Sequence, residues 1–306
     1  MSSRFAGLIA APFTPFHADG SLNLARIPDQ AAALRDSRVG GAFVCGTTGE
    51  SASLTQTERK AVAEAWMAAA GPLKIIVHAG HTSAAEACEL AAHAATIGAA
   101  GVAVTAPYYF RPAGPAELVE YLAEVASAAP SLPFYYYDIP STTGVLMPTA
   151  DVLRRAIKRI PNFAGVKFSN PDLLSLQECI QLEGGKYEAM FGVDEYLLAA
   201  VVLGATGAVG STYNYAAPTY HRMLDALRAG DLDAARRHQF ASAQLVRALI
   251  DFGGLRAGKA IMAMIGLDCG PVRTPLRKMT PDDDAKLFDR LKGLDIFSAP
   301  LREPKN

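Results

Sequence analysis

Eight short apolar runs alternate along the chain with longer amphipathic stretches: Gly7–Ala11, Gly41–Cys45, Lys74–Ala79, Gly101–Thr105, Pro133–Tyr137, Ala164–Phe168, Tyr187–Phe191 and Thr206–Gly210. Each run is continuous rather than alternating, the pattern of a strand covered on both faces. The stretches between them carry helix signals. Thr55-Gln-Thr-Glu58 reads as a capping box opening a helix through Trp66 to Ala70. Ser83-Ala-Ala-Glu86 reads as a second, opening an Ala-rich helix that ends near Gly98. Leu173–Glu183 and Glu195–Leu203 are further helical candidates. Eight strand–helix alternations predict a parallel (β/α)8 barrel, which takes roughly 250 residues. An open doubly wound sheet is the alternative, weakened because no GxGxxG follows the first strand. Beyond Pro218 no strand is legible. The last barrel helix and three more are expected there, near Leu232–Phe252, Leu255–Ile265 and Pro281–Lys292. No linker interrupts the chain. The expectation is a single unit, with the barrel over 1–228 and a C-terminal helical extension over 229–306.

Charge narrows the choice of partner. The 29 basic and 30 acidic residues leave a formal net charge of -1, without a basic stripe or run. Nucleic acid and anionic membrane surfaces are therefore not expected as partners. The apolar part of the N-terminus is short and holds Pro12 and Pro15, and no run reaches the length of a membrane span. The cysteines, Cys45, Cys88, Cys179 and Cys269, are far apart and form no CxxC. They suggest neither a zinc site nor a disulfide framework, and a cytoplasmic protein is expected.

Active-site groups of such a barrel sit at the C-terminal ends of its strands. The second strand runs into Gly46-Thr47-Thr48-Gly49-Glu50, where two glycines flank two hydroxyl residues. A tight turn there can aim backbone N–H groups at a carboxylate or phosphate. The sixth strand holds a lone cation, Lys167. Burial would lower its pKa and make it a neutral amine able to attack a ketone, although a strand-end lysine can also snorkel outward or pair with an acid. The fifth strand ends in Tyr137, whose phenol could relay a proton. Pro107-Tyr-Tyr-Phe110 follows the fourth strand, Gly192-Val-Asp-Glu195 the seventh and Gly210-Ser-Thr-Tyr213 the eighth. Asp194 and Glu195 suit sugar hydroxyls, or simply the start of a helix. Ser211 suits a substrate contact or a turn cap. A hydroxyl pair, an amine, a phenol and an acid pair thus converge on one face. His78 and His81 follow the third strand without another His or Cys at ligand spacing, so no metal is expected and both read as solvent-facing turn residues.

Together Gly46-Thr-Thr-Gly-Glu50, Tyr137 before Ile139-Pro140, Gly165-Val-Lys167 and Gly204-Ala-Thr-Gly-Ala-Val-Gly-Ser211 resemble the pyruvate-dependent class I aldolases, the superfamily of dihydrodipicolinate synthase and N-acetylneuraminate lyase. The resemblance covers essentially the whole chain. LPFYYYDIP, GVKFS, FGVDE and GATGAVGSTYNY are most similar to the lyase branch of animal type. The resemblance implies that Lys167 forms a Schiff base and Tyr137 shuttles the proton. It implies that Thr47 and Thr48 hold the carboxylate of the pyruvate moiety, with Thr48 and Tyr109 in a hydroxyl relay that can cross between subunits. Ser169, Gly192, Asp194, Glu195, Gly210 and Ser211 match positions that hold the sugar part of sialic acid. It further implies a homotetramer, no cofactor and no metal. One departure stands out: Thr142 occupies the position where the synthase has an arginine for its second substrate and lyases commonly have leucine. An aldolase or dehydratase acting on another 2-keto-3-deoxy sugar acid is the first alternative. A non-catalytic pyruvate- or sugar-binding barrel is the second.

Overall fold

The computed structural model describes residues 5–304. Eight parallel strands close into a barrel in sequence order, β1 Gly7–Ala10, β2 Gly41–Val44, β3 Lys74–His78, β4 Gly101–Thr105, β5 Phe134–Asp138, β6 Phe163–Phe168, β7 Glu188–Phe191 and β8 Gly207–Gly210. β8 pairs back onto β1, Gly7 against Gly207 through Ala10 against Gly210. The helices between them are α1 Ile27–Asp36, α2 Gln56–Ala69, α3 Ala84–Thr96, α4 Pro115–Ser127, the single turn α5 Pro140–Thr143, α6 Thr149–Arg159, α7 Leu173–Gln181 and α8 Leu197–Val202. Helix α9 (Tyr213–Arg228) follows β8, and α10 (Leu232–Asp251), α11 (Leu255–Met264) and α12 (Pro281–Leu291) come after it. The expected barrel therefore forms, with strand ends within a residue of those read from the apolar runs. No helix among the described residues is long and apolar enough to cross a membrane.

The strands read as continuous apolar runs because each faces two cores. Ile9, Phe43, Ile76, Ala103, Tyr135, Tyr137, Met190 and Val209 pack inside the barrel. Leu8, Val44, Val77, Val104, Tyr136, Val166, Phe168 and Phe191 pack outward against the helices. The Thr55 capping box forms, Thr55 Oγ1 accepting from Glu58 N–H at 3.2 Å and Glu58 accepting from Thr55 N–H at 2.9 Å. At α3, Ser83 Oγ accepts from Glu86 N–H at 3.4 Å, the half of the expected box that holds the first turn. Caps of this kind contribute about 1 kcal/mol each.

One irregularity bears on the site. The register of β5 with β6 shifts between Phe134 and Tyr135, so Tyr135 pairs with Gly165 and Tyr137 with Lys167. A bulge of this type re-aims the residues beyond it. Gly165 has φ +153°, and a Cβ there would lie 2.0 Å from Glu188 O. The glycine thus lets β6 kink against β7 and deliver Lys167 to the inner face beside Tyr137.

Candidate active site

Lys167 is 3% exposed, at the C-terminal end of β6. Its Nζ lies 3.8 Å from the centroid of the Phe43 ring and 4.0 Å from that of Tyr137. Burial lowers its pKa to about 7, against the opposing charge of Asp194. A lysine with this pKa is neutral in about half of the molecules at pH 7, so a nucleophile is available without a strong base. The snorkelling alternative falls, since the side chain points into the barrel.

Tyr137 is buried beside it. Its hydroxyl lies 3.2 Å from Thr47 Oγ1 and also hydrogen-bonds the Ser169 side chain. Burial pushes the phenol up to about 12, and those two hydrogen bonds pull the other way. The phenol therefore rests protonated, with a hydroxyl neighbour on each side through which a proton can move. On the outer face of the same strand end, the buried Asp138 accepts from Thr149 Oγ1 at 2.8 Å, Asn170 Nδ2 at 3.2 Å and Tyr136 OH at 3.3 Å. Asp138 O accepts from Ser169 N–H at 2.8 Å. These bonds fix the ends of β5 and β6 together, and with them Tyr137 and Ser169.

The Gly46–Glu50 turn closes through Glu50 N–H to Thr47 O at 3.0 Å and Ser51 N–H to Gly46 O at 3.3 Å. Thr14 Oγ1 donates to Gly49 O at 2.7 Å. The N–H groups of Thr47, Thr48 and Gly49 donate to no acceptor among the described residues. Consecutive free N–H groups at a strand end form a concavity for an anion. Cys45 and Glu50, on either side of the turn, both have φ +55°. Left-handed backbone costs a side-chain-bearing residue about 1–2 kcal/mol, and such strain collects at functional sites.

Asp194 is 6% exposed and stands across the mouth. Its Oδ2 accepts from Thr212 Oγ1 at 2.6 Å and Thr212 N–H at 3.1 Å. Burial raises its pKa, and the Thr212 hydrogen bonds oppose the rise. A Cβ at Gly210 would lie 1.9 Å from Asp194 Oδ1, and one at Gly192 would lie 2.2 Å from Ser169 Oγ. These two glycines therefore make room for the polar atoms beside them. Glu195 is half-buried, its pKa raised by burial and then by Asp194. Ser211 is half-buried at the start of the next turn, its carbonyl accepting from Asn214 Nδ2 at 2.7 Å.

The structure thus links Lys167, Tyr137, Thr47, Ser169 and Gly192 by direct contact, with Asp194 and Gly210 as an adjoining pair. Tyr109 is not among them. It is 76% exposed, its ring 5.0 Å from that of Phe110, itself 86% exposed. His78 corrects the expectation from sequence. Far from facing solvent, it is buried as the last residue of β3, turned inward against Phe43 and Tyr137. Its Nδ1 is 2.8 Å from Cys45 O, and its Nε2 is 3.3 Å from Thr105 Oγ1. Burial, and then Arg59, hold its pKa well below the ordinary range. The neutral ring therefore donates from Nδ1 to the carbonyl at the start of the Gly46 turn. An unbroken apolar run gave no parity from which its inward direction could be read. His81 is the partly exposed member of the pair, its Nδ1 accepting from Ser83 N–H at 3.0 Å. Among the described residues no group of three His, Cys, Asp or Glu is arranged to hold a metal ion.

Residues 4–294 match the Dihydrodipicolinate synthetase family. The chain belongs to that family. Among curated relatives of this Dihydrodipicolinate synthetase family member, the mouse N-acetylneuraminate lyase is 42% identical over 303 residues, covering 97% of this chain and 95% of the mouse protein. The solved structure of Proteus mirabilis N-acetylneuraminate lyase superposes with a TM-score of 0.93 at 42% identity, covering 95% of this chain and 99% of that one. A dihydrodipicolinate synthase from Cyanidioschyzon merolae superposes with a TM-score of 0.88 at 28% identity, over 95% and 98%. The family's fold is common to all three, and the higher identity lies with the lyases.

Proposed function

We propose that this protein is an N-acetylneuraminate lyase, a class I aldolase that reversibly cleaves N-acetylneuraminate to N-acetylmannosamine and pyruvate. The observation that carries the reading is Lys167, buried between two rings with a pKa near 7 and set beside a hydrogen-bonded phenol. Neutral Lys167 attacks the C2 carbonyl of the open-chain sugar acid, and loss of water leaves an iminium that draws electrons. Tyr137 accepts the proton of the C4 hydroxyl while passing its own phenolic proton to the Thr47 or Ser169 hydroxyl beside it, so the phenol is protonated before and after. The C3–C4 bond breaks, its electron pair passing into the enamine, and N-acetylmannosamine departs. The enamine is protonated at C3, and water releases pyruvate from Lys167. The N–H groups of the Thr47–Thr48 turn hold the carboxylate and so fix C2 against Nζ. Ser169, Gly192, Asp194, Glu195, Gly210 and Ser211 form the wall for the polyhydroxylated part. No cofactor is needed for this sequence of steps.

Cyanoborohydride trapping with N-acetylneuraminate as the sole substrate tests the reading. A pyruvyl adduct on Lys167 is expected, because the sugar part must leave before reduction. Labelling by pyruvate alone would make the chain an aldolase of another sugar acid. Labelling by neither would return it to a binding barrel. Thr142 favours keeping the other 2-keto-3-deoxy sugar acids in that assay, since it is exposed on α5 and replaces the leucine common in lyases. A substrate panel scored by pyruvate release separates the two.

Two further expectations follow from the geometry. The trapping rate should fall about tenfold per pH unit below pH 7 and level off above about pH 8, since only the neutral amine attacks. A rate still climbing at pH 10 would mean that Lys167 keeps its ordinary pKa. Gly210→Ala should cost roughly a hundredfold in kcat/KM for N-acetylneuraminate, because its methyl must displace Asp194. Pyruvate trapping in that variant should stay near wild type, and an equal loss for both ligands would remove Asp194 and Gly210 from the sugar wall.

The exposed Tyr108, Tyr109 and Phe110 support a homotetramer in which Tyr109 reaches a neighbouring subunit's site. Sedimentation of wild type against Phe110→Asp tests this, and a wild-type monomer would sink it. Four unpaired cysteines suit a reducing cytoplasm, which cell fractionation would check.

A further inference from the structure

The strained turn at Cys45–Glu50 is fastened from two directions. His78 holds the carbonyl of Cys45 from inside the barrel. Glu50 is held from outside by the segment that follows the barrel. Its carboxylate is 2.8 Å from Lys259 Nζ, with the two side chains 1% and 3% exposed. It also accepts Arg273 N–H at 2.9 Å. Lys259 Nζ donates to Pro271 O at 2.9 Å and lies 4.1 Å from the Phe16 ring centroid. The Arg273 guanidinium lies 4.3 Å from the same centroid and reaches Glu58, Ser53 O and Gly20 O. A buried ion pair of this kind is weak evidence for stability, because a well-packed apolar pair of equal size is often as good or better. What the pair does have is a place: it grips the one left-handed residue that ends the turn carrying the free N–H groups.

We propose that Lys259 is a positioning residue for the substrate's carboxylate. It acts through Glu50, holding the Thr47–Thr48 turn in the conformation that presents its N–H groups. The proposal rests on the reading of that turn as the carboxylate anchor. It makes α11, outside the barrel, part of the machinery that selects 2-keto acids over other carbonyl compounds. Without the ion pair, the Glu50 backbone is free to leave the left-handed region, and the N–H groups diverge. Lys167 and Tyr137 stand on other strands, and of their contacts only the Tyr137–Thr47 hydroxyl pair is tied to the turn.

The test measures cyanoborohydride trapping at Lys167 as a function of ligand concentration, with pyruvate and with its uncharged methyl ester. Wild type, Lys259→Met and Glu50→Gln are compared. Both variants are expected to raise the half-saturating pyruvate concentration roughly tenfold or more while leaving the ester within about twofold. Lys259→Arg, which keeps the cation, should recover part of the pyruvate affinity. A folded variant that binds pyruvate as wild type does would overturn the proposal, as would parallel losses for acid and ester. If neither Lys259→Met nor Glu50→Gln folds, the pair belongs to stability and the proposal also fails. A wild-type protein that pyruvate cannot label at Lys167 would instead sink the proposed function.

Discussion

Lys167→Met should lower turnover of N-acetylneuraminate by roughly four orders of magnitude or more and at the same time raise resistance to denaturation. The first effect follows because the covalent route disappears with its nucleophile. The second follows from linkage. Burial depresses the lysine from 10.5 to about 7. Between those values the unfolded chain binds a proton that the native protein does not, so native stability rises with pH across that window. At neutral pH the lysine therefore leaves the fold about 4–5 kcal/mol less stable than a side chain with no proton to lose. Methionine is of similar length and can pack against the Phe43 and Tyr137 rings without that burden. Pyruvate release and a urea titration at pH 7 and 10 check both halves. Retained activity would refute the Schiff base, and a destabilised variant would mean that Lys167 is held by attraction rather than tolerated.

Tyr137→Phe should keep imine formation and lose carbon–carbon chemistry. Its ring still flanks Lys167, so trapping by pyruvate is expected within a few-fold of wild type. Its hydroxyl, and with it the contacts to Thr47 and Ser169, is gone. Positioned acid–base groups contribute about 10²–10⁴-fold, and kcat for N-acetylneuraminate should fall by that range. Single-turnover measurement separates the steps. An unchanged cleavage rate with normal trapping would move the proton transfer to another group.

The barrel was legible because its strands are buried on both sides, which writes each as an unbroken apolar run. The same property hid which residues point inward. Phe43 and His78 shape the space around Lys167, yet in a run without alternation they look like any other strand residue. The bulge at Gly165 adds to this, since it changes the parity between Phe163 and Lys167. Lys167 itself was visible as a lone cation in apolar sequence. Glu50 stands within the Gly46–Glu50 motif, but its partner Lys259 lies a whole barrel away along the chain, and no local pattern joins them. Tyr109 could be named from the resemblance alone. Its exposure explains why the residues around it gave no role within one chain.

The setting of Nζ between two aromatic faces has a consequence once the imine forms. A ring face carries negative charge density and attracts a cation by about 0.5–2 kcal/mol. A carboxylate in direct contact would attract far more strongly and would keep the free lysine protonated. The rings are thus a counter-ion weak enough to leave the resting amine its lone pair, yet ready to favour the protonated iminium over the neutral imine once the Schiff base has formed. They are also neither acid nor base through their faces. In the proposed mechanism charge is held by the faces of Phe43 and Tyr137, while proton movement is left to the hydroxyl on the rim of one of them.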